Sequence, residues 1–408
     1  MVDAITQSQL SGYFLGVASK RLTAVEVNPN TSNQHEFNGV ASLKQILGTD
    51  TRTLPARFVY LGEHDDETVS TSGFVTWYDS RRDVPTRAAE YRLYFPTTPV
   101  SERASEGDLL IAGTRTDGSL LIIIAQSGSS AERQLQWLFR LPPEQTNSYS
   151  VHEIDENHDV QLGFAHLSIL DNIGTEVLIR DESCLERMLR KFNGEFPSTR
   201  EFSAFARDTF PGDISSENPD RKLSEWMNHE LLLFRILEHH LVEEQINTGF
   251  ADVDSFISFS LSVHNRRKAR AGYALENHME KLLIDHTIHY SRGAETENRV
   301  KPDYIFPGIE RYKDANFPEN RLTMLGVKAT CKDRWRQVLS EANRIKDKHL
   351  LTLEPGISEN QTNEMQANNL QLVVPTSIHE SYQPVQMEYL MSVSSFIGLV
   401  GERQLSSS

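Results

Sequence analysis

Residues 322–345 contain a strand, a turn and a helix in immediate succession, and this order constrains the fold more than any other stretch. Residues 322–329 are few and mostly apolar, as in a buried strand. From residue 333 onward the apolar residues recur with helical spacing: Trp335, Val338, Leu339, Ala342 and Ile345. We therefore expect a helix that carries Glu341 on the same face as Arg334 and Gln337.

The predicted strand ends in a single charged side chain, Lys328. Burying an ammonium group without a partner is costly, so Lys328 should face an anion. A candidate is Asp303, which follows Pro302 at the start of another short apolar run and lies 25 positions upstream (328 − 303). A Pro-Asp pair that opens one strand and a Lys near the end of the next resemble the arrangement of the PD-(D/E)XK nucleases.

These side chains suit the hydrolysis of a phosphodiester. Carboxylates bind a hard divalent cation through oxygen, and such a cation acidifies water and neutralises phosphate charge. A lysine adds a point charge near the reacting atoms. The motif usually places a second acid two residues before the lysine, but that position is Gly326, which cannot bind metal. Glu341, 13 residues after Lys328 (341 − 328), is the candidate replacement.

Residues 265–272, 304–307 and 324–337 resemble the catalytic domain of EcoRII-type restriction endonucleases, and the resemblance runs from about residue 195 to near the C-terminus. It implies a catalytic set of Glu276, Asp303, Lys328 and Glu341. It also implies Mg²⁺ as cofactor, with the three acids of that set as its ligands.

The turn after the strand resembles the segment with which this family reads C·G pairs. It contains the charged residues Lys332, Asp333, Arg334 and Arg336. Arginine and lysine donate to guanine O6 and N7, and aspartate accepts from cytosine N4, with about 1–3 kcal/mol of discrimination for each good pair. We therefore expect this turn to bind DNA in the major groove.

A second basic segment lies between two predicted helices, residues 252–263 and 273–289. It contains Arg266, Arg267, Lys268 and Arg270. Phosphate contacts and a solubilising turn are equally good interpretations of these residues alone. Trp226 also has two interpretations. It lies on a predicted helix that Ser224 can cap. A buried tryptophan is favoured about three to one over a wedge that extrudes bases.

The N-terminal part of the chain is predicted to be mostly β, in a barrel or sandwich. Residues 108–112 and 119–124 flank Thr116-Asp-Gly-Ser, which indicates a hairpin, and residues 131–139 indicate a helix. A charged stretch in this part contains Arg81, Arg87, Glu90 and Arg92. From the residues alone, a solvated edge is favoured about two to one. The stretch also resembles, in patches, the effector-DNA-binding pseudobarrel of EcoRII, which implies DNA contacts from these four residues and from His35.

The expected architecture is a multidomain α+β and α/β chain. Residues 1–170 would form the DNA-binding pseudobarrel, 171–185 a linker, and 186–408 a catalytic domain with a restriction-endonuclease-like α/β core and a mixed sheet. Strands are expected at residues 349–353 and 370–375, with a polar loop between them, and a last helix at 388–400.

Composition limits the possible functions. The net charge of −16 argues against a protein that coats DNA without sequence preference, but not against a specific binder whose cations cluster. Cys184 and Cys331 are the only cysteines and do not form a metal-type pair, which fits a reducing cytoplasm. The longest apolar run, residues 120–125, is too short to span a membrane, and no secretory signal is visible.

The combined hypothesis is a type II restriction endonuclease that cuts both strands of a CCWGG-like site in DNA. A palindromic site cut on both strands needs two active sites, so we expect a homodimer. The resemblance implies that the N-terminal domain binds a second site and restrains cleavage, and that the host contains a companion DNA methyltransferase. Two alternatives stay open: a modification-dependent nuclease, and a DNA-binding regulator on an inactive nuclease scaffold.

Overall fold

The computed structural model describes residues 9–27, 36–37, 40–83, 86–143, 146–154, 160–212, 218–331 and 334–405. The chain divides into two compact units. The first, unit 1, is Met1–Val177 with Gly356–Ser358, and the second, unit 2, is Leu178–Pro355 with Glu359–Ser408. The roles that the sequence assigns to residues 1–170, 171–185 and 186–408 stay predictions.

In its described part, unit 1 contains an eight-stranded sheet that curls into a half-barrel. The strand order is β2-β5-β4-β3-β7-β6-β1-β8, and neighbours are antiparallel except for the parallel pair β3–β7. This confirms the predicted pseudobarrel. The strands are β1 (Phe14–Arg21), β2 (Glu36–Phe37), β3 (Arg52–Leu61), β4 (Val69–Asp79), β5 (Tyr91–Tyr94), β6 (Leu109–Arg115), β7 (Leu120–Ala125) and β8 (Ser150–Glu153).

The core of unit 1 lies against β7, whose six residues are all buried, as a run of leucine and isoleucine between turn signals requires. Phe58 and Trp77 fill the same core. β6 and β7 form the predicted hairpin, and Gly118 adopts the positive φ that its turn needs. The helices of unit 1 are α1 (Ala24–Val27), α2 (Lys44–Leu47), α3 (Ser130–Leu138), which was predicted, and α4 (Phe164–Asn172).

Unit 2 is built around a five-stranded mixed sheet in the order β13-β12-β11-β10-β9. β11, β12 and β13 are parallel, whereas β9, β10 and β11 are antiparallel, so the predicted mixed sheet is confirmed. Its strands are β9 (Ser291–Arg292), β10 (Tyr304–Phe306), β11 (Thr323–Lys328), β12 (Lys348–Thr352) and β13 (Leu370–Val373). Its helices are α5 (Glu182–Phe192), α6 (Thr199–Asp208), α7 (Pro219–Thr248), α8 (Val253–Asp285), α9 (Ile309–Lys313), α10 (Trp335–Leu339), α11 (Glu359–Ala367) and α12 (Val393–Leu405).

Helix α8 differs most from expectation. Residues 252–263 and 273–289 were predicted to be separate helices, but α8 is continuous over 33 residues. Asp252 caps it by accepting from the Ser255 amide at 2.7 Å. The basic segment in its middle lacks an apolar stripe, but arginine, lysine and alanine are strong helix formers, so the helix continues. The segment is therefore part of a helix and not a turn.

Other boundaries also differ from prediction. α7 begins at Pro219 and is capped by Asn218, not by Ser224, because proline suits the first turn of a helix. The polar stretch between β12 and β13 contains α11, and α12 begins at Val393 and not at residue 388. Among the described helices, none has the length and apolar character needed to cross a membrane.

Candidate active site

Asp303 and Lys328 meet at the edge shared by β10 and β11. Asp303 directly precedes β10, and Lys328 is the last residue of β11. The Asp303 Oδ2 atom accepts from Lys328 Nζ at 2.9 Å and from the Val327 amide at 2.6 Å. The half-buried ammonium therefore has the anionic partner that its position demands.

Gly326 explains why the second acid of the motif cannot stand on β11. A Cβ atom at this position would lie 2.9 Å from Val338 Cγ2 and 3.1 Å from Cγ1. α10 thus packs directly on the strand at the point where the motif would place a carboxylate. Any side chain there would have to displace the Val338 methyl groups or the helix that carries them.

Glu341 was predicted to lie on the helix, and this prediction is wrong. α10 ends at Leu339, and Glu341 lies in the turn beyond it, next to Ala342, which has a φ of 48°. Lys348 Nζ holds this turn by donating to the carbonyls of Glu341 and Ala342. The helix between β11 and this turn has only five residues. The apolar residues beyond Leu339 therefore keep a helical spacing without forming a helix.

The Glu341 carboxyl group is buried, with 8% of the residue exposed, and its Oε2 atom has no hydrogen-bond partner in the described structure. Burial raises the pKa of Glu341 to about 7, and the charge of Asp303 contributes in the same direction. Lys328 and Lys348 lower the pKa of Glu341 but do not offset this increase.

Glu276 joins the same electrostatic cluster from α8. Its Oε2 atom accepts from Arg292 Nη2 at 2.8 Å, and its backbone carbonyl accepts from the Tyr304 hydroxyl at 2.6 Å. Burial raises the pKa of Glu276, with a contribution from Asp303, whereas Arg292 and Lys328 lower it. Asp303 and Lys328 therefore act on both of the other predicted acids.

The carboxylates suit a hard divalent cation. A cation would give the Glu341 Oε2 atom a partner, which it lacks among the described residues. It would also offset the repulsion between Glu341 and Asp303. In the described part of the chain, no group of three or more acid, histidine or cysteine side chains is arranged to hold a metal. The structure thus does not assemble Glu276, Asp303 and Glu341 into a closed ligand set. Mg²⁺ commonly uses one or two carboxylates and keeps several waters, so Asp303 and Glu341 fit it.

Residues on both sides of the turn predicted to read bases are held by hydrogen bonds. The turn residues Lys332 and Asp333 lie outside the described part of the chain. The Cys331 amide donates to the buried Glu354 carboxylate at 2.6 Å, and Arg334 Nη2 donates to Thr330 Oγ1 at 2.7 Å. Arg336 donates to Glu364 at 2.7 Å and lies over the Trp335 ring.

The basic segment of α8 has a mixed environment. Arg270 is buried, with 5% exposed, and lies over the rings of Phe202 and Phe234, so the expected phosphate contact is not available to it in this structure. The helix turns this position toward α6 and α7. Arg266 lies over the Phe196 ring and exposed Arg267 donates to Glu238 at 2.6 Å.

Lys268 belongs to the same segment, but its side chain lies outside the described part of the structure. Trp226 is 3% exposed, which confirms the buried interpretation of this residue.

In unit 1 the charged stretch forms a network beside β4 and β5, called the β4–β5 edge, which consists of Arg81, Glu90, Arg92 and the β2 residue Glu36. Arg92 donates to Glu36 at 2.6 Å and to Glu90 at 3.1 Å, and Arg81 pairs with Glu90. Arg87 is exposed, and His35 lies outside the described residues. The edge is therefore charge-balanced and not a bare basic patch.

Two cations that donate to the predicted acids were not identified from the sequence: Arg292 and Lys348. Arg292 stands in the unremarkable sequence Ser291-Arg292-Gly293, and Lys348 opens a strand. Neither position carries a motif, because sheet pairing and turn geometry bring both side chains to the site.

Part of the chain is similar to known restriction enzymes. Residues 234–397 match the family model described as EcoRII C terminal. This region is therefore similar to the C-terminal part of EcoRII. The chain is 42% identical over 203 residues to the type II restriction enzyme EcoRII of Escherichia coli, across 50% of each protein. The chain region matched to EcoRII thus spans about half the length of that curated relative.

Solved structures of restriction endonucleases are less similar to this chain. Metal-depleted Ecl18kI in complex with uncleaved, modified DNA has a TM-score of 0.44 at 16% identity, covering 55% of this chain and 85% of that one. Metal-depleted Ecl18kI with uncleaved DNA has a TM-score of 0.44 at 16% identity, with 54% and 83% covered. The PspGI–substrate DNA complex has a TM-score of 0.39 at 16% identity, with 54% and 91% covered.

Proposed function

We propose that this chain is a Mg²⁺-dependent type II restriction endonuclease that cuts both strands of DNA at a specific site. The observation that carries the proposal is the Asp303–Lys328 ion pair together with the buried carboxyl of Glu341, whose Oε2 atom has no hydrogen-bond partner among the described residues. The similarity of half of the chain to the type II restriction enzyme EcoRII supports the same chemistry.

Each side chain of the site has a distinct role in this proposal. Asp303 and Glu341 would hold Mg²⁺, which supplies charge neutralisation at the phosphate and acidification of water. Glu341 must first lose the proton that its raised pKa favours. Lys328, held in place by Asp303, orients or polarises the water that attacks phosphorus in line. The P–O3′ bond breaks, which leaves a 5′-phosphate on one strand end and a 3′-hydroxyl on the other. Glu276 adds to the acidic cluster.

The finer parts of the proposal concern specificity and assembly. A CCWGG-like target suits the turn with Lys332, Asp333 and Arg334, since such side chains read outer C·G pairs. Unit 1 would bind a second copy of the site through the network of Arg81, Glu90 and Arg92, with exposed Arg87 and with His35, and would restrain cleavage. Two active sites on a palindrome require a homodimer, and the host then needs a companion methyltransferase.

Digestion of long unmodified DNA with Mg²⁺, followed by sequencing of the ends, tests this function. We expect double-strand breaks at one short sequence with 5′-phosphate ends, and none with the Asp303→Asn variant. Parallel digestion of methylated DNA separates the alternatives, because a modification-dependent nuclease would cut only that substrate. Specific binding without cleavage of either substrate would instead support a DNA-binding regulator.

A further inference from the structure

Arg292 links helix α8 to the sheet edge that carries Asp303. It lies on β9 and pairs with Tyr304, the residue after Asp303. Its Nη2 atom donates to Glu276 at 2.8 Å, whereas Nη1 donates to Glu280 at 2.7 Å and to Asn277 at 3.0 Å. One guanidinium group therefore spans three acceptors on a single turn of the helix.

The outer side of this guanidinium group is fixed independently of the cluster. Glu280 also accepts from the Tyr290 hydroxyl at 3.2 Å and from Arg200 at 3.3 Å. Asn277 is buried and donates to Ser203 at 3.1 Å. Arg292 is thus held at Nη1 by groups that have other partners, and its Nη2 atom donates to Glu276. Because the guanidinium group of arginine is planar and rigid, fixing one of its terminal nitrogens also fixes the direction of the other. The single ammonium group of a lysine cannot do this.

We propose that Arg292 is a positioning residue that holds the Glu276 carboxylate beside the Asp303–Lys328 pair and thereby tunes the affinity of the site for a divalent cation. This inference rests on the proposed nuclease function. Among the described residues, Arg292 is the side chain that donates to the Glu276 carboxylate.

Loss of the guanidinium group would release Glu276 and weaken cation binding. Removing a partner that orients an acid at a metal site typically lowers metal affinity or activity roughly 10- to 100-fold. Arg292→Lys keeps the charge but loses the fork, so it should rescue only part of the effect. Glu280→Gln loosens the anchored side of Arg292 and should cause a smaller shift in the same direction.

The test uses the full chain and the variants Arg292→Gln, Arg292→Lys and Glu280→Gln. Arg299→Gln, at an exposed arginine of the same unit, is the matched control. Mn²⁺ binding without DNA is followed by electron paramagnetic resonance, alongside the Mg²⁺ concentration for half-maximal cleavage and the metal-free Tm. For Arg292→Gln we expect the Mn²⁺ and Mg²⁺ concentrations at half-maximal effect, the metal midpoints, to rise roughly tenfold or more. The midpoints of the other two variants should rise less, and those of the control should not change.

Two results would overturn the inference. Unchanged metal midpoints with a lowered Tm would make Arg292 a structural brace only. Tighter Mn²⁺ binding in Arg292→Gln would make Arg292 a competitor of the cation. If the parent chain cleaves no DNA but its Mn²⁺ affinity still depends on Arg292, the nuclease function fails and the positioning role stands.

Discussion

Lys328 is the cation of the proposed catalytic set, and its ammonium lies 2.9 Å from Asp303. Lys328→Met keeps much of the side-chain volume but removes the charge. We expect cleavage to slow by roughly 10²–10³-fold, because one preorganised donor at a developing charge has about that effect. Specific DNA binding in Ca²⁺, measured by gel shift, should persist. Lys346→Met, at an exposed lysine of the same unit, is the control, and equal loss in both variants would contradict the role.

Glu341 should make the metal-free chain sensitive to pH. Its pKa is raised from 4.5 to about 7 by burial and by Asp303, so the folded chain binds the proton more tightly than the unfolded chain. The resulting stability is fully present below pH 4.5 and is lost as the pH rises through about 7.

We therefore expect the free energy of unfolding, measured with urea and chelator, to fall between pH 5 and 7.5. The slope contributed by this one group is at most about 1.4 kcal/mol per pH unit. Glu341→Gln should remove that part of the slope. An identical slope in parent and variant would show that the carboxyl is not held in its protonated form.

Individual site residues differ in how well the sequence predicts them. The ion pair of Asp303 and Lys328 could be expected, because an isolated lysine in an apolar strand needs an anion and Pro302-Asp303 opens the neighbouring strand. Arg292 and Lys348 could not be expected in the same way. Each is an ordinary cation in its local sequence and acquires its role from strand pairing or from a turn.

At the scale of elements, the contact of β11 with α10 determines where the acid of the motif can stand. Gly326→Ala would place a methyl group 2.9 Å from Val338 Cγ2, and such overpacking typically costs about 1–3 kcal/mol. Val338→Ala removes the clashing methyl groups and leaves the Cβ atom at an ordinary 3.6 Å.

We expect the double variant Gly326→Ala/Val338→Ala to be more stable than the sum of the two single changes predicts, by about 1 kcal/mol or more. Chemical denaturation of all four proteins measures this coupling. Additive free energies of unfolding would mean that the helix moves freely away from the strand. A carboxylate at position 326 would then be tolerated, and the location of Glu341 would need another explanation.

Element boundaries show where the reading of periodicity fails. In α8 the apolar spacing lapses over residues 265–272, but the helix continues because these residues have high helix propensity and because Arg270 packs on rings of α6 and α7. After α10 the opposite occurs. Ala342 and Ile345 keep a helical spacing although the chain turns at Ala342, where Lys348 binds the freed carbonyls.

For the whole molecule, the proposed function makes cleavage depend on two copies of the site. A net charge of −16 disfavours loose binding, so occupation of unit 1 should require specific contacts. Adding a short duplex with the target site to the full chain should accelerate cleavage of a long DNA that has a single site. Deletion of residues 1–177 should raise cleavage of that DNA without the added duplex, and an unchanged rate would reject restraint by unit 1.

Arg92 allows the second-site effect to be tested in the full chain. Because its guanidinium group bridges Glu36 and Glu90 on the β4–β5 edge, Arg92→Ala removes both a cation for DNA and the link between two acids. The acceleration by added duplex should disappear, while the slow cleavage of single-site DNA persists because the side chains of the candidate site are intact. Arg103→Ala, at an exposed arginine of the same unit, is the control. Equal acceleration of Arg92→Ala and the control would remove this edge from the proposed second DNA site.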